Sequence, residues 1–151
     1  MLKIKNYNSS ILHEISFSLK ENENLIILGE NGAGKSTLAK VLSNLISNDK
    51  VELLGENISK ISDLKRTQLI NYIPPKLSIF DEYVTLREFL ELSFIENVNN
   101  QKIDEVIKLL NLRKLEDKYC KSFSSGEKQL LLLASAIMHN AQITIFDELT
   151  A

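Results

Sequence analysis

The chain has 151 residues, 44% of them apolar and 25% charged, and its formal net charge is −2 at pH 7. This composition is typical of a folded globular domain and excludes a disordered or low-complexity protein. The nearly balanced charge excludes a general electrostatic attraction to nucleic acid or anionic lipid. No apolar run approaches the ~18 residues of a membrane span, so we expect any membrane association to go through a partner.

The first half of the sequence predicts short strands and helices in alternation. Apolar and polar residues alternate in Leu2–Tyr7 and Ile15–Leu19, as they do in half-buried antiparallel strands. The apolar run at Leu25–Gly29 predicts a strand that is buried on both faces. The elements predicted next are a helix over Lys35–Leu45, a strand over Val51–Leu54, a helix over Asp63–Leu69 and a strand over Ile70–Ile73.

The pattern from Thr85 to Asp117 is helical throughout. Thr85 and Glu88 have the spacing of a capping box, and Asn100 is placed to cap a second helix. The apolar residues predicted to face inward are Leu86, Phe89, Leu90, Phe94, Ile103, Val106, Ile107 and Leu110. We therefore expect a helical insert, with Glu96–Gln101 as the hinge between its two helices.

Two further motifs follow the helical insert. Ser124 and Glu127, in the stretch FSSGEKQ, form a second capping box, which by itself predicts only the start of a helix. The segment Ile143–Asp147 is an apolar strand that ends in a carboxylate, and Glu148 follows at once. A carboxylate in this position suits Mg²⁺ beside a bound phosphate, and the next one suits a general base.

The stretch GENGAGKST, from Gly29 to Thr37, fits the pattern of a phosphate-binding loop. Its glycines permit turns in which successive backbone N–H groups surround a polyphosphate at the start of a helix. Lys35 would reach the β- and γ-phosphates, and the Ser36 hydroxyl would ligate Mg²⁺. The motif therefore predicts binding of a nucleoside triphosphate.

In the order GENGAGKST, helical insert, FSSGEKQ and ITIFDELTA, the chain from Leu2 to Ala151 resembles the nucleotide-binding domain of ATP-binding-cassette (ABC) ATPases. That family carries a phosphate loop, a signature LSGGQ and an apolar strand ending in DE-x-T. The resemblance implies an α/β fold, with a P-loop NTPase core, an N-terminal antiparallel β-subdomain and a helical insert subdomain. We expect the β-subdomain and phosphate-loop core in residues 1–84, the helical insert in 85–122, and the signature helix with the final strand in 123–151.

The resemblance also implies the residues of the site. Glu148 would be the general base, and Ser36 with Asp147 would hold Mg²⁺. The residues implied to contact ATP are Tyr7, Gly29, Asn31, Gly32, Gly34, Lys35, Ser36, Thr37, Ser124 and Gly126. Among them, Tyr7 would stack on adenine, while Ser124 and Gly126 would touch the γ-phosphate of ATP bound to the opposite subunit.

The implied partners are a second ATP-binding subunit in a head-to-tail dimer, transmembrane permease subunits and, indirectly, a periplasmic binding protein. No nucleic acid is implied. The protein would lie on the cytoplasmic side of the inner membrane and act as the motor ATPase of a transporter. Residues 53–74 are similar to importers of iron–siderophore complexes, haem and vitamin B12.

The sequence departs from the family pattern at several positions. Pro75 stands where the family has a glutamine that reaches Mg²⁺, and Ser125 and Glu127 replace a glycine and the glutamine of the signature. In the family pattern an aspartate follows shortly after DE-x-T and a histidine comes later, and both positions lie beyond Ala151. We therefore expect the last strands of the domain's sheet to be missing and the 151 residues alone to be inactive. These departures leave an alternative open, in which the chain is a truncated, non-catalytic remnant that binds nucleotide or a partner.

Overall fold

The computed structural model describes residues 1–76, 83–94 and 98–148, and the chain divides into two compact units. The first unit comprises Met1–Tyr72 and Ile145–Asp147, and the second contains Ile73–Thr144 and Glu148. No helix in the described ranges combines the length and the apolar character that crossing a bilayer requires.

The first unit contains a four-stranded antiparallel sheet in the order β2-β1-β3-β4. Its strands are β1 (Leu2–Tyr7), β2 (Ile15–Leu19), β3 (Val51–Leu53) and β4 (Glu56–Asn57). Leu2 pairs with Leu19 on one side and with Leu53 on the other, and alternate side chains of β1 and β3 are buried. The two predicted N-terminal antiparallel strands are thus confirmed, and they pair with each other.

Two helices of the first unit follow the predicted pattern with one change of length. Helix α1 spans Lys35–Leu42 and helix α2 spans Asp63–Leu69. Helix α1 ends three residues earlier than Leu45, because Asn44 takes a left-handed backbone (φ 59°) and the next two N–H groups both turn back to the carbonyl of Lys40.

The prediction of a buried strand at Leu25–Gly29 is wrong. Residues 25–28 have no strand assignment, and their side chains are 40–88% exposed. A strand forms only when a neighbour accepts and donates its backbone hydrogen bonds, and no strand in the described ranges pairs with this segment. The remaining pair, β5 (Ile70–Ile73) and β6 (Ile143–Phe146), forms a separate two-stranded sheet close to its predicted bounds.

The second unit is helical, with α3 (Leu86–Glu91), α4 (Asn100–Leu109) and α5 (Ser125–His139). Both predicted capping boxes are present, and α4 is capped by Asn99, one residue before the predicted cap. The buried cluster consists of Leu86, Leu90, Ile103, Val106, Ile107, Leu112, Cys120, Phe123, Leu131, Ala134 and Met138. Five of the eight residues predicted to face inward are in this cluster, and the other three, Phe89, Phe94 and Leu110, are partly buried and pack against it. Residues 95–97, which include the first two residues of the predicted hinge, and residues 149–151 lie outside the described ranges. The last two hinge residues, Asn100 and Gln101, belong to α4, so the prediction of a hinge as far as Gln101 is wrong there.

Candidate phosphate-loop site

The loop before α1 adopts the backbone geometry that its glycines permit. Gly32 and Gly34 have φ angles of 84° and 92°, which residues with a Cβ rarely adopt. A Cβ at Gly34 would also lie 2.8 Å from Leu12 Cδ2 and 2.9 Å from Ile11 Cγ2, which is closer than two carbon atoms approach without a shift. The backbone conformation thus favours glycine at position 34, and a Cβ there would also force the side chains of Ile11 and Leu12 to shift.

Lys35 closes the loop onto itself. Its Nζ donates to the carbonyl oxygens of Gly29 and Glu30, at 2.9 Å each. The ammonium is therefore held over the loop, at the N-terminus of a helix whose dipole already favours an anion there. The Lys35 ammonium, which donates to the two loop carbonyls, is therefore placed to bind a phosphate in this loop.

The end of β6 meets the start of α1 through a buried carboxylate. Ser36 Oγ donates to Asp147 Oδ1 at 2.9 Å, and Asp147 is only 4% exposed. The hydroxyl of Tyr72 donates to the other oxygen, Asp147 Oδ2, also at 2.9 Å. Burial, and next the hydrogen bond to Asp147, raise the pKa of Tyr72 to about 12, so the phenol is protonated at neutral pH and acts as the donor.

These oxygen atoms suit a magnesium ion. Mg²⁺ prefers hard oxygen ligands, usually one or two carboxylates from the protein together with water and substrate phosphates. Ser36 Oγ and Asp147 Oδ1 offer one hydroxyl and one carboxylate oxygen 2.9 Å apart. In the described ranges no group of three or more His, Cys, Asp or Glu side chains could hold a metal by itself.

The other predicted residues of the first unit occupy varied positions. Tyr7, at the end of β1, is only 9% exposed, so its ring lies largely within the core. Asn31 is exposed in the loop, and Thr37 lies in the first turn of α1, half-buried. Their roles in ATP binding stay predictions.

Ser124 and Gly126 lie at the exposed start of α5 in the second unit. Glu127 folds back over this end, because its Oε2 accepts from the backbone N–H of Ser124 at 2.7 Å. Lys118 Nζ donates to both carboxylate oxygens of Glu127 at 3.0 Å and lies 5.4 Å from the ring centre of Phe123. The hydrogen bond from Ser124 and then Lys118 lower the pKa of Glu127, so its negative charge is stabilised locally.

Glu148, the predicted general base, has an exposed side chain and a left-handed backbone with φ 53°. Such a φ is uncommon for residues other than glycine and is frequent where a structure holds a functional side chain. The role of Glu148 as general base stays a prediction.

Sequence reasoning missed Tyr72 and Lys118. Tyr72 is 75 residues from Asp147, and a tyrosine in a predicted strand carries no local sign of its partner. For Lys118 the signal was weak but available. Glu127 replaces a glutamine of the signature, and its added negative charge is stabilised by a nearby cation. Lys118 precedes the stretch FSSGEKQ by a few residues and supplies that cation.

The comparisons with known proteins identify the family of the chain. The family model described as ABC transporter matches residues 12–151. The zinc import ATP-binding protein ZnuC of Buchnera aphidicola is 33% identical over 156 residues, covering 99% of this chain and 60% of that protein. The energy-coupling factor transporter ATP-binding protein EcfA of Malacoplasma penetrans is 32% identical over 154 residues, covering 95% and 52%.

A solved structure of a metal-chelate type ABC transporter, in an inward-facing conformation, superposes with a TM-score of 0.76 at 25% identity. It matches 99% of this chain and 60% of that one, so the chain spans little more than half the length of the relatives compared. The family match covers both the phosphate loop and the carboxylate-ended strand. The chain belongs to the ABC transporter family, as an ATP-binding domain of the α/β fold predicted from its motifs.

Proposed function

We propose that this chain binds the triphosphate of ATP in its phosphate loop and, in the full-length protein, takes part in ATP hydrolysis that drives transport. The observation that carries the proposal is the hydrogen bond from Ser36 to Asp147, two residues 111 positions apart. It joins the phosphate loop to the only buried carboxylate among the described residues. That is the pairing a magnesium–nucleotide complex needs.

Each residue has a stated part in this function. The loop amides and Lys35 offset the charge of the phosphates, and Ser36 with Asp147 would hold Mg²⁺. When bound, the ion neutralises and orients the phosphate oxygens. Glu148 accepts a proton from the attacking water as general base. Ser124 and Gly126 contact the γ-phosphate of ATP on the opposite subunit. Tyr7 would meet the adenine only with the accessible edge of its ring, because the residue is 9% exposed.

The protein's partners follow from the family and are part of the same proposal. They are a second ATP-binding subunit, facing this one head to tail, and the permease subunits of a transporter, with a periplasmic binding protein acting indirectly. The chain would work at the cytoplasmic side of the inner membrane. The exposed start of α5, with Ser124 and Gly126, supports a dimer because these groups are open to a facing molecule.

The finer proposal concerns the solute. Import of an iron–siderophore complex, haem or cobalamin is supported by residues 53–74 and by the likeness to a metal-chelate type transporter. Zinc import, named for the relative ZnuC, is the competing choice. Transport assays with an iron chelate and with free zinc would separate the two.

A non-catalytic function remains the second candidate. Pro75 lacks a side-chain oxygen, and Glu127 adds a negative charge to the signature, so both favour a chain that binds nucleotide or a partner without turnover. The pairing of Glu127 with Lys118 weakens that reading, since it offsets the added charge.

ATP turnover by the full-length gene product tests the proposal. We expect Glu148→Gln to lower the turnover rate by about 100-fold or more, because a general base contributes that much, while ATP binding is retained. The matched control, Glu21→Gln, removes an exposed carboxylate from a turn and should leave turnover unchanged. A wild type that binds ATP without hydrolysing it would favour the second candidate, and a wild type that binds no ATP would exclude both nucleotide functions.

A further inference from the structure

The two oxygens of the Asp147 carboxylate are held from two different elements. Ser36, in the first turn of α1, donates to Oδ1, and Tyr72, on β5, donates to Oδ2, both at 2.9 Å. All three residues belong to the same compact unit, and Asp147 is buried. The carboxylate is therefore fixed at both ends, by a hydroxyl of the phosphate loop and by a phenol outside it.

The phenol has a specific physical effect on this carboxylate. The terminal torsion of an aspartate is broad and roughly two-fold, so a single hydrogen bond leaves the plane of the group free to turn. A second donor at the other oxygen removes that freedom. Because the Tyr72 hydroxyl binds Oδ2 and Ser36 binds Oδ1, Oδ1 keeps one lone pair beside the phosphate loop.

We propose that Tyr72 is a positioning residue for magnesium–nucleotide binding, which it supports by holding the Asp147 carboxylate so that Oδ1 and Ser36 Oγ can ligate the ion together. This inference rests on the proposed ATP-binding function. Ligating carboxylates are themselves commonly held by hydrogen bonds, and loss of such an outer partner typically weakens metal binding by about 10- to 100-fold.

The test uses the full-length protein carrying Glu148→Gln, so that ATP is bound but not consumed. In that background Tyr72→Phe removes one oxygen and keeps the ring, and ATP binding is titrated with Mg²⁺ by calorimetry. We expect the Mg²⁺ concentration at half-saturation to rise about 10-fold, with ATP binding in EDTA unchanged. Tyr119→Phe is the matched control, because that ring is half exposed and lies in the other unit.

The separate readouts distinguish a positioning role from a structural one. Unchanged ATP binding in EDTA shows that the loop is intact in Tyr72→Phe, so a higher Mg²⁺ requirement then reports the orientation of Asp147. An unchanged Mg²⁺ requirement overturns the inference and leaves the proposed function standing. Equal weakening of ATP binding with and without Mg²⁺ also overturns it, because Tyr72 would then only support the fold. Absence of ATP binding before Tyr72 is changed overturns the proposed function and the inference together.

Discussion

The helical cluster and the segment before the phosphate loop both contain large aliphatic residues, which are buried in the cluster and exposed in the segment. Leu86, Leu90 and Ile103 of the cluster are 0% exposed, whereas Ile26 and Leu28 of the segment are 80% and 88% exposed. Hydrophobicity alone therefore does not decide burial here. The two regions differ in how their backbone hydrogen bonds are made.

A helix satisfies its own backbone, and a strand depends on a neighbour. Helices α3 and α5 each begin with a complete capping box, formed by Thr85 with Glu88 and by Ser124 with Glu127. Each makes its backbone hydrogen bonds largely within its own segment and buries its apolar face against the others. Residues 25–28 would need a strand beside them, and none in the described ranges pairs with them.

Truncation of a leucine in each region gives the largest contrast. Leu131→Ala, at a fully buried position of α5, should lower the free energy of unfolding by about 3 kcal/mol, from lost burial and from the cavity left behind. Leu28→Ala removes the same atoms from an exposed site and should change it by less than about 0.5 kcal/mol. Urea unfolding of the chain, followed by helical circular dichroism, measures both.

A large decrease in the free energy of unfolding of Leu28→Ala would contradict the contrast between the two regions. It would mean that Leu28 is buried in solution, by another molecule or by a rearrangement of the segment. Unfolding at several protein concentrations separates these outcomes, since burial against a second copy makes the midpoint depend on concentration.

Loss of a partly buried ion pair in the helical unit should also cost more stability than loss of an exposed pair in the first unit, but the difference should be smaller. Arg87 Nε lies 2.7 Å from Glu116 Oε1, and its guanidinium also pairs with Asp104, so one side chain of α3 links two other segments of the helical unit. Glu116 is only 14% exposed, and Arg87 holds its pKa below the ordinary value. We expect Arg87→Met to cost about 2 kcal/mol, because it leaves a largely buried carboxylate with fewer partners.

The control for this change lies in the β unit. Lys65 and Glu56 form a pair 3.3 Å apart, with side chains 57% and 48% exposed. Lys65→Met should cost less than about 0.5 kcal/mol, since exposed pairs contribute little. Equal losses in the two variants, compared by urea unfolding in the same buffer, would contradict the view that the partly buried ion pairs of Arg87 stabilise the helical unit more than an exposed pair does.

The sequence predicted the features that depend on residues close to one another in the chain. Both capping boxes, the paired strands Leu2–Tyr7 and Ile15–Leu19, and the inward faces of α3 and α4 are as expected, because periodicity and caps are local signals. The phosphate loop and Asp147 were also identified from motifs. The contact of Tyr72 with Asp147 was not, because it depends on how β5 and β6 lie together, and no residue near either one encodes it.

The smallest effect concerns the charge that closes the second capping box. Ser124 and Lys118 lower the pKa of Glu127 below its ordinary value of 4.5, so the folded protein binds this proton less readily than the unfolded chain does. The stabilisation is therefore present above pH 4.5 and is lost as the pH falls through the lowered pKa.

Glu127→Gln keeps an acceptor for the Ser124 N–H and removes the charge. Unfolding midpoints of the variant should fall less steeply with acid than those of the wild type. Glu105→Gln changes a carboxylate in an exposed position of α4, and should leave the wild-type slope in place. Equal slopes in wild type and Glu127→Gln would show that the box acts through its hydrogen bonds alone, and that Lys118 adds no charge-dependent stability to the start of α5.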